Sequence, residues 1–418
     1  MSNRTVVVAG AGQAGSQAAA SLRDEGFQGR IVLVGAERHA PYQRPPLSKG
    51  YLTGKVPPER LALRPPSFYD DINVELRLGT PVTSIDVDAR SVGLGNGERL
   101  EYHDLVLALG ARNRGLPIDG ADLDGVLTLR SLADAEEVRR RLPAASSVVV
   151  IGGGFIGLEI AATAVGLGIA TTVFEVAEQL MARVLSPGTA SFLVEAHRRR
   201  GMRIDLGTSA ATITGTHGQV RAVWTSDGRS VPADLVLVGI GAVPNTEVAA
   251  EAGLLVDNGI VTDPHLRTSD PHVWAIGDCA SFPCAYADGR QMRLESVQNA
   301  VAQARAVAAA LAGRAEYFRA VPWFWSDQAD LKIQIAGLPT GRDTVIMYGE
   351  AEQERFSAFC FAGDRLLGVE SVNRPADHLA ARRLLELGIP LRPVDLTRPG
   401  FDLRALASGR SAAVAPTS

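Results

Sequence analysis

Gly10-Ala11-Gly12-Gln13-Ala14-Gly15 and Gly152-Gly153-Gly154-Phe155-Ile156-Gly157 repeat one spacing, G-x-G-x-x-G, at two places in the chain. Glycine at those positions lets the backbone turn tightly and brings bare N–H groups close to a phosphate, whose charge a helix N-terminus favours. The chemistry is capture of a pyrophosphate, and downstream carboxylates extend it. Glu37 stands 22 residues after Gly15 and Glu175 stands 18 after Gly157, about the separation at which an acid takes ribose hydroxyls. Each set is a candidate dinucleotide site with an unphosphorylated ribose.

The surrounding elements make the repeat more than a glycine turn. Thr5-Val6-Val7-Val8 and Ser147-Val148-Val149-Val150-Ile151 are short β-branched strands, and each fingerprint opens an alanine-rich helix. Further strands end at Glu37 and at Glu175, which completes two βαβ units of about thirty residues. Much later come two apolar runs that stop at glycine, Asp104-Leu105-Val106-Leu107-Ala108-Leu109-Gly110 and Asp234-Leu235-Val236-Leu237-Val238-Gly239-Ile240-Gly241. Such runs predict strands buried on both faces of a parallel sheet.

The predicted class is α/β, with two Rossmann-like nucleotide-binding domains, one inserted in the other, and a C-terminal α+β domain. The expected boundaries are 1–112 with 242–317, then 113–241, then 318–418. Val273-Trp274-Ala275-Ile276-Gly277-Asp278 reads as a strand closing on an acid, with a helix over Val297–Leu311 behind it. From Tyr317 onward an aromatic stretch, alternating strands at Lys332-Ile333-Gln334-Ile335 and Phe356-Ser357-Ala358-Phe359, and a helix from Pro375 to Leu387 form the last domain. Residues 407–418 read as a mobile tail.

Composition excludes several classes. A net charge of −4 over 418 residues, with no polybasic run, gives no attraction to nucleic acid. The apolar stretch between Arg4 and Leu22 carries the fingerprint glycines, so it reads as strand, turn and helix rather than a signal peptide. The longest apolar run, residues 160–174, is broken by two glycines and falls short of the ~20 residues a membrane span needs. Three cysteines, Cys279, Cys284 and Cys360, suit a reducing compartment, and the expected location is cytoplasmic.

The chain resembles the flavin-dependent ferredoxin reductases of the glutathione-reductase-like superfamily, in their oxygenase-coupled branch. The resemblance is carried by the two fingerprints, Tyr42-Gln43-Arg44-Pro45-Pro46-Leu47-Ser48-Lys49, Ala275-Ile276-Gly277-Asp278, Glu295-Ser296-Val297-Gln298-Asn299-Ala300 and Pro322-Trp323-Phe324-Trp325-Ser326-Asp327-Gln328. It implies that FAD occupies the first site, with Gly10, Gly12, Ala14, Gly15, Glu37, Arg44, Lys49, Val82, Ala108, Arg130, Asp278 and Val297 as candidate residues. Glu37 would take the ribose, Asp278 the ribityl chain, and the Val297 main chain would back the flavin ring. NADH would occupy the second site, with Gly152, Gly154, Ile156, Gly157, Glu159, Glu175, Arg183 and Gly241. A Lys49–Glu159 pair would position the reacting rings, with Glu159 expected in the first turn of its helix.

A 2′-phosphate about 4 Å from Glu175 would be repelled by roughly 4 kcal/mol at an effective dielectric of ~20, which favours NADH over NADPH. Residues 44–50 hold no cysteine, unlike relatives that reduce disulfides, and Cys279 and Cys284 follow Asp278 instead. No Cys/His spacing suits iron–sulfur or zinc. Electrons are then expected to leave from the flavin itself, toward a small two-iron ferredoxin that serves an oxygenase. Arg64, Arg305, Trp325 and Lys332 match the family's partner-docking positions, with one of Trp323 and Trp325 expected to turn inward and the other outward. Two alternatives share the scaffold: reduction of small acceptors such as quinones, monodehydroascorbate or oxygen, and an NADH-responsive binding flavoprotein of the apoptosis-inducing type.

Overall fold

The computed structural model describes residues 4–409. The chain forms two compact units, one of residues 1–46, 56–112 and 242–322, the other of residues 47–55, 113–241 and 323–418. Residues 47–55 thus count with the second unit, although the segments on either side belong to the first. Residues 323–418, expected as part of a third domain, also count with the second.

The first unit is built on an all-parallel sheet in the order Val273–Ala275, Asp104–Leu107, Thr5–Ala9, Arg30–Val34, Val74–Arg77. Its central strands are closed to water on both faces, as their unbroken apolar sequences require: Val6, Val7, Val8, Leu105, Val106 and Leu107 are fully buried. Helix Gln13–Asp24 follows the first strand and packs on helix Val297–Leu311. Both helices carry small buried residues, among them Ala18, Ala19, Ala304 and Ala308. The chain order places the turn after each strand, and therefore Gly10, Glu37, Ala108 and Asp278, at the carboxyl edge of the sheet, where ligands of open α/β sheets bind.

The second unit repeats the plan with Arg203–Asp205, Ala170–Phe174, Ser147–Ile151, Leu235–Val238 and Val126–Thr128, again all parallel. Its other layer is a five-stranded antiparallel sheet in the order Trp323–Gln328, Leu331–Gly337, Arg365–Val372, Arg355–Ala362, Thr344–Glu350. Helix Pro375–Leu387 covers that sheet, ending at Gly388 in the left-handed conformation.

Buried polar bonds join these two layers. Glu370, fully buried on strand Arg365–Val372, accepts from the Ser186 amide at 2.7 Å and the Ser186 hydroxyl at 2.6 Å, at the start of helix Pro187–Arg199. Nearer the surface, Arg200 bonds Asp330 and Glu354. These bonds tie the antiparallel sheet to helix Pro187–Arg199 within the second unit. The expected tail begins too early: Ala407 is buried and ends helix Leu403–Ala407. Residues 410–418 lie outside the described residues.

Candidate active site

In the first unit, strand Thr5–Ala9 runs into Gly10 at φ +119°, a conformation costly for residues with a Cβ. A Cβ at Gly10 would collide with the Ala108 carbonyl oxygen, and one at Gly15 with the Gly10 carbonyl oxygen. These two glycines are required by the protein's own packing. Gly12 is different, because a Cβ there would meet nothing within 4 Å. It is the N-cap of helix Gln13–Asp24, has no side-chain cap, and no acidic residue occupies the first turn. The helix start therefore offers backbone donors beside open space, as an incoming pyrophosphate needs.

Glu37 accepts from the Tyr42 hydroxyl at 2.6 Å and from Arg44 at 2.7 Å. Both members of the ion pair keep about a third of their side-chain surface in water, so the pair stabilises by at most ~1 kcal/mol and yields readily to ribose hydroxyls. Asp278 is half-buried just past Gly277, which has φ +74° and donates its amide to buried Gln303 at 2.7 Å. Ala14 lies buried beneath this turn, 3.1 Å from where a Gly277 Cβ would stand.

Val297 opens helix Val297–Leu311 behind a Ser296 cap. Beside it the buried Gln298 carboxamide oxygen has no hydrogen-bond partner among the described residues. That orphaned acceptor, which sequence reasoning quoted within a motif but did not assign, fits a group bound at this helix start. Val82 is half-buried at the first position of strand Val82–Asp86. The open face of Gly12, the carboxylates at the sheet edge and the Gln298 oxygen together fit FAD.

The second unit builds the same cradle. Gly152 has φ +107°, a Cβ there would collide with the Gly239 carbonyl oxygen, and one at Gly157 would collide with that of Gly152. At Gly154 the nearest atom to a Cβ would be 3.8 Å away. Glu175 accepts from the Gly153 amide at 2.7 Å and the Ala177 amide at 2.8 Å. The middle glycine of this loop, absent from the predicted set, thus holds the acid, and a Cβ on it would stand 3.1 Å from the Glu175 carboxylate. Ile156 is exposed, Arg183 is exposed in the turn that follows, and Gly241 takes φ +102° after strand Leu235–Val238. This loop fits NAD(H).

Glu159 departs from expectation. It is the fifth residue of helix Phe155–Gly166, beyond the first turn, so the helix dipole does not stabilise it. Side chains do: Oε2 accepts from Lys49 Nζ at 2.7 Å and Ser48 Oγ at 2.5 Å, and Oε1 from Ser326 Oγ at 2.6 Å. The carboxylate is only 5% exposed and the lysine 21%; at that burial, removing one partner strands the other. Phe155, Glu159 and Thr163 are spaced by four and share a helix face, while Phe324 and Ser326 share a strand face. The two periodicities interlock, with the Phe155 and Phe324 rings 4.5 Å apart and the Glu159–Ser326 bond beside them. Thr163 completes the contact by donating to the Ser48 carbonyl at 3.0 Å. Arg130 is half-buried at the entry to helix Leu132–Arg141, where its amide bonds Asp134 at 3.0 Å.

Of the docking candidates, Arg64 and Arg305 are exposed in the first unit, while Lys332 is exposed and Trp325 half-buried in the second. The expected opposition of the two tryptophans fails. Residues two apart on a strand share a face, and Trp323 and Trp325 are both half-buried with ring centroids 6.1 Å apart. All three cysteines are buried and unpaired; burial pushes the Cys279 thiol up to about 11 and raises Cys284 and Cys360 as well.

Residues 4–304 match the pyridine nucleotide-disulphide oxidoreductase family and residues 323–407 match the reductase C-terminal family. The chain belongs to the pyridine nucleotide-disulphide oxidoreductases, whose cofactors are FAD and NAD(H). It is 50% identical over 400 residues to rhodocoxin reductase of Rhodococcus erythropolis, covering 96% of this chain and 93% of that one. To putidaredoxin reductase CamA of Pseudomonas putida it is 43% identical over 396 residues, 94% of each chain. The solved covalent putidaredoxin reductase–putidaredoxin complex superimposes with a TM-score of 0.95 at 41% identity, covering 99% of this chain and 100% of that one. Among the described residues no helix is long and apolar enough to cross a membrane.

Proposed function

We propose that the protein is an NADH-dependent ferredoxin reductase, passing single electrons to a small two-iron ferredoxin that supplies an oxygenase such as a haem monooxygenase. One observation carries the reading: two glycine cradles, each with its acid, occur in a chain whose thiols are all buried and hard to ionise. A thiol relay needs an accessible thiolate, so the electron exit falls to the flavin. Bound FAD supplies the conversion of a hydride into electrons released one at a time.

The protein's own residues bind and orient. The Gly10–Gly15 loop, Glu37 and Asp278 hold the first dinucleotide along the sheet edge, with Arg44, Val82, Ala108, Arg130 and Val297 in supporting positions. The Gly152–Gly157 loop and Glu175 hold the second. Lys49, fixed by Glu159, positions the rings for hydride transfer. Arg64, Arg305, Trp325 and Lys332 receive the ferredoxin; that the partner is a small ferredoxin is supported by the solved complex of the similar putidaredoxin reductase with putidaredoxin. The reduced, buried cysteines support a cytoplasmic location.

The test is anaerobic stopped-flow mixing of the flavoprotein with NADH, followed by a two-iron ferredoxin. NADH should bleach the flavin and ferredoxin should restore its colour faster than quinone or oxygen does. Failure to bleach sinks the NADH assignment, and preference for the small acceptors sinks the ferredoxin assignment.

A further inference from the structure

The Glu159 carboxylate is the end of a longer buried chain. Gln328 Nε2 donates to Ser326 Oγ at 3.1 Å, and Gln328 Oε1 stands 2.7 Å from His197 Nε2. A carboxamide oxygen only accepts, so the imidazole carries its proton on Nε2. Ser326 already accepts from Gln328, which leaves its own proton for Glu159 Oε1. Every bond therefore donates in one direction, His197 to Gln328 to Ser326 to Glu159. His197, Gln328 and Ser326 are at most 1% exposed. They come from helix Pro187–Arg199 and strand Trp323–Gln328, and meet Glu159 of a third element.

We propose that Ser326, Gln328 and His197 are positioning residues that lock the rotation of the Glu159 carboxylate and, through it, place the Lys49 ammonium for hydride transfer; this rests on the role given above to Lys49 and Glu159. The terminal torsion of glutamate is broad and roughly two-fold. Lys49 and Ser48 grip one oxygen, and a donor fixed on the other oxygen removes the remaining freedom. Burial holds His197 below its ordinary range against the opposing effect of its bond to Gln328, and the ring serves as a single donor aimed from Nε2 at Gln328 Oε1. A buried polar chain with every member satisfied is rigid, and one broken link frees the rest.

The test uses the FAD-loaded protein with Gln328→Leu, Ser326→Ala, Ser326→Thr and Glu159→Gln, each checked for flavin content and melting temperature. Gln328→Leu and Ser326→Ala should slow the limiting rate of flavin bleaching by NADH about fivefold to tenfold, while half-saturating NADH changes less than about twofold. Ser326→Thr, which keeps the hydroxyl, should restore the rate. Gln328→Leu combined with Glu159→Gln should be no slower than Glu159→Gln alone, and a crystal structure of Gln328→Leu should show the Glu159 carboxylate turned from Lys49. Wild-type bleaching by Gln328→Leu and Ser326→Ala while Glu159→Gln is slow would overturn the proposal, as would additive losses or an unmoved carboxylate. Wild-type bleaching by Glu159→Gln would instead overturn the role given to the Lys49–Glu159 pair, and the proposal with it.

Discussion

Replacing Glu175 with glutamine should shift the coenzyme preference by about tenfold. Among the described residues the Glu175 carboxylate has two polar partners, the amides of Gly153 and Ala177 at 2.7 and 2.8 Å. Charge-assisted bonds of that kind contribute roughly 1.5–3 kcal/mol each, so the carboxylate stays in place when a ligand arrives. One unit of negative charge on a 2′-phosphate ~4 Å away then meets about 4 kcal/mol of repulsion at an effective dielectric of ~20. Salt and solvent leave about a third of it, ~1.4 kcal/mol, which is a tenfold discrimination. Glutamine keeps the size and one acceptor but removes the charge, so NADPH gains most, while NADH loses a little as its ribose faces a weaker acceptor. The assay compares kcat/KM for NADH and NADPH in wild type and Glu175→Gln, with flavin content as a control on the separate FAD loop. A ratio unchanged within twofold would refute the electrostatic argument.

Three further outcomes follow from named contacts. Gly12→Ala, at a position open to solvent, should fold and melt like wild type yet bind FAD more weakly. Gly10→Ala, whose methyl would meet the Ala108 carbonyl at φ +119°, should lower stability by more than ~1–3 kcal/mol; flavin retention and thermal melting separate the two, and equal behaviour would contradict the division of labour. The native thiols should resist a thiol reagent at pH 8, where a group held near 11 such as Cys279 is thiolate in about one molecule per thousand, and a fast-reacting thiol in folded protein would count against the exclusion of a thiol relay. His378 is buried against Trp323 with neither ring nitrogen hydrogen-bonded among the described residues, and burial lowers it to about 4, with Arg382 adding to the effect. The unfolded chain therefore binds the extra proton first. Stability should fall as pH drops from 6.5 toward 4, by about 1.4 kcal/mol per unit, and His378→Asn should flatten part of that slope in urea unfolding at pH 7 and pH 5.

The sequence was most readable where function is local to the backbone. A Cβ at Gly15 would meet the Gly10 carbonyl five residues back, so part of the glycine spacing is set within one turn, although the carbonyl that crowds Gly10 itself comes from Ala108 on another strand. Continuous apolar strands announce a sheet covered on both faces. Helices Val297–Leu311 and Pro375–Leu387 begin and end where their caps and periodicity place them. Legibility fails where a side chain is satisfied from far away. Strand Arg365–Val372 looks half-polar because it carries Glu370, yet that acid is fully buried and met by Ser186, 184 residues distant.

Glu159 is the sharper case. Counting from the last glycine placed it near the dipole, and the helix start at Phe155 put it one turn deeper, where only side chains can stabilise a charge. Its partners lie 110 residues away at Lys49 and 167 away at Ser326. The face Phe155, Glu159, Thr163 and the face Phe324, Ser326, Gln328 are each visible as a periodicity of four or two, and each carries polar residues where an apolar seam is expected. A polar residue on a buried face requires a partner, and two such faces in one chain are candidates for each other. Phe155 on Phe324 sets the register, and the carboxylate then falls opposite the hydroxyl. The tryptophans obey the same rule from the other side of the strand: Trp323 and Trp325 face together, which leaves Ser326 and Gln328 free to point at the helix.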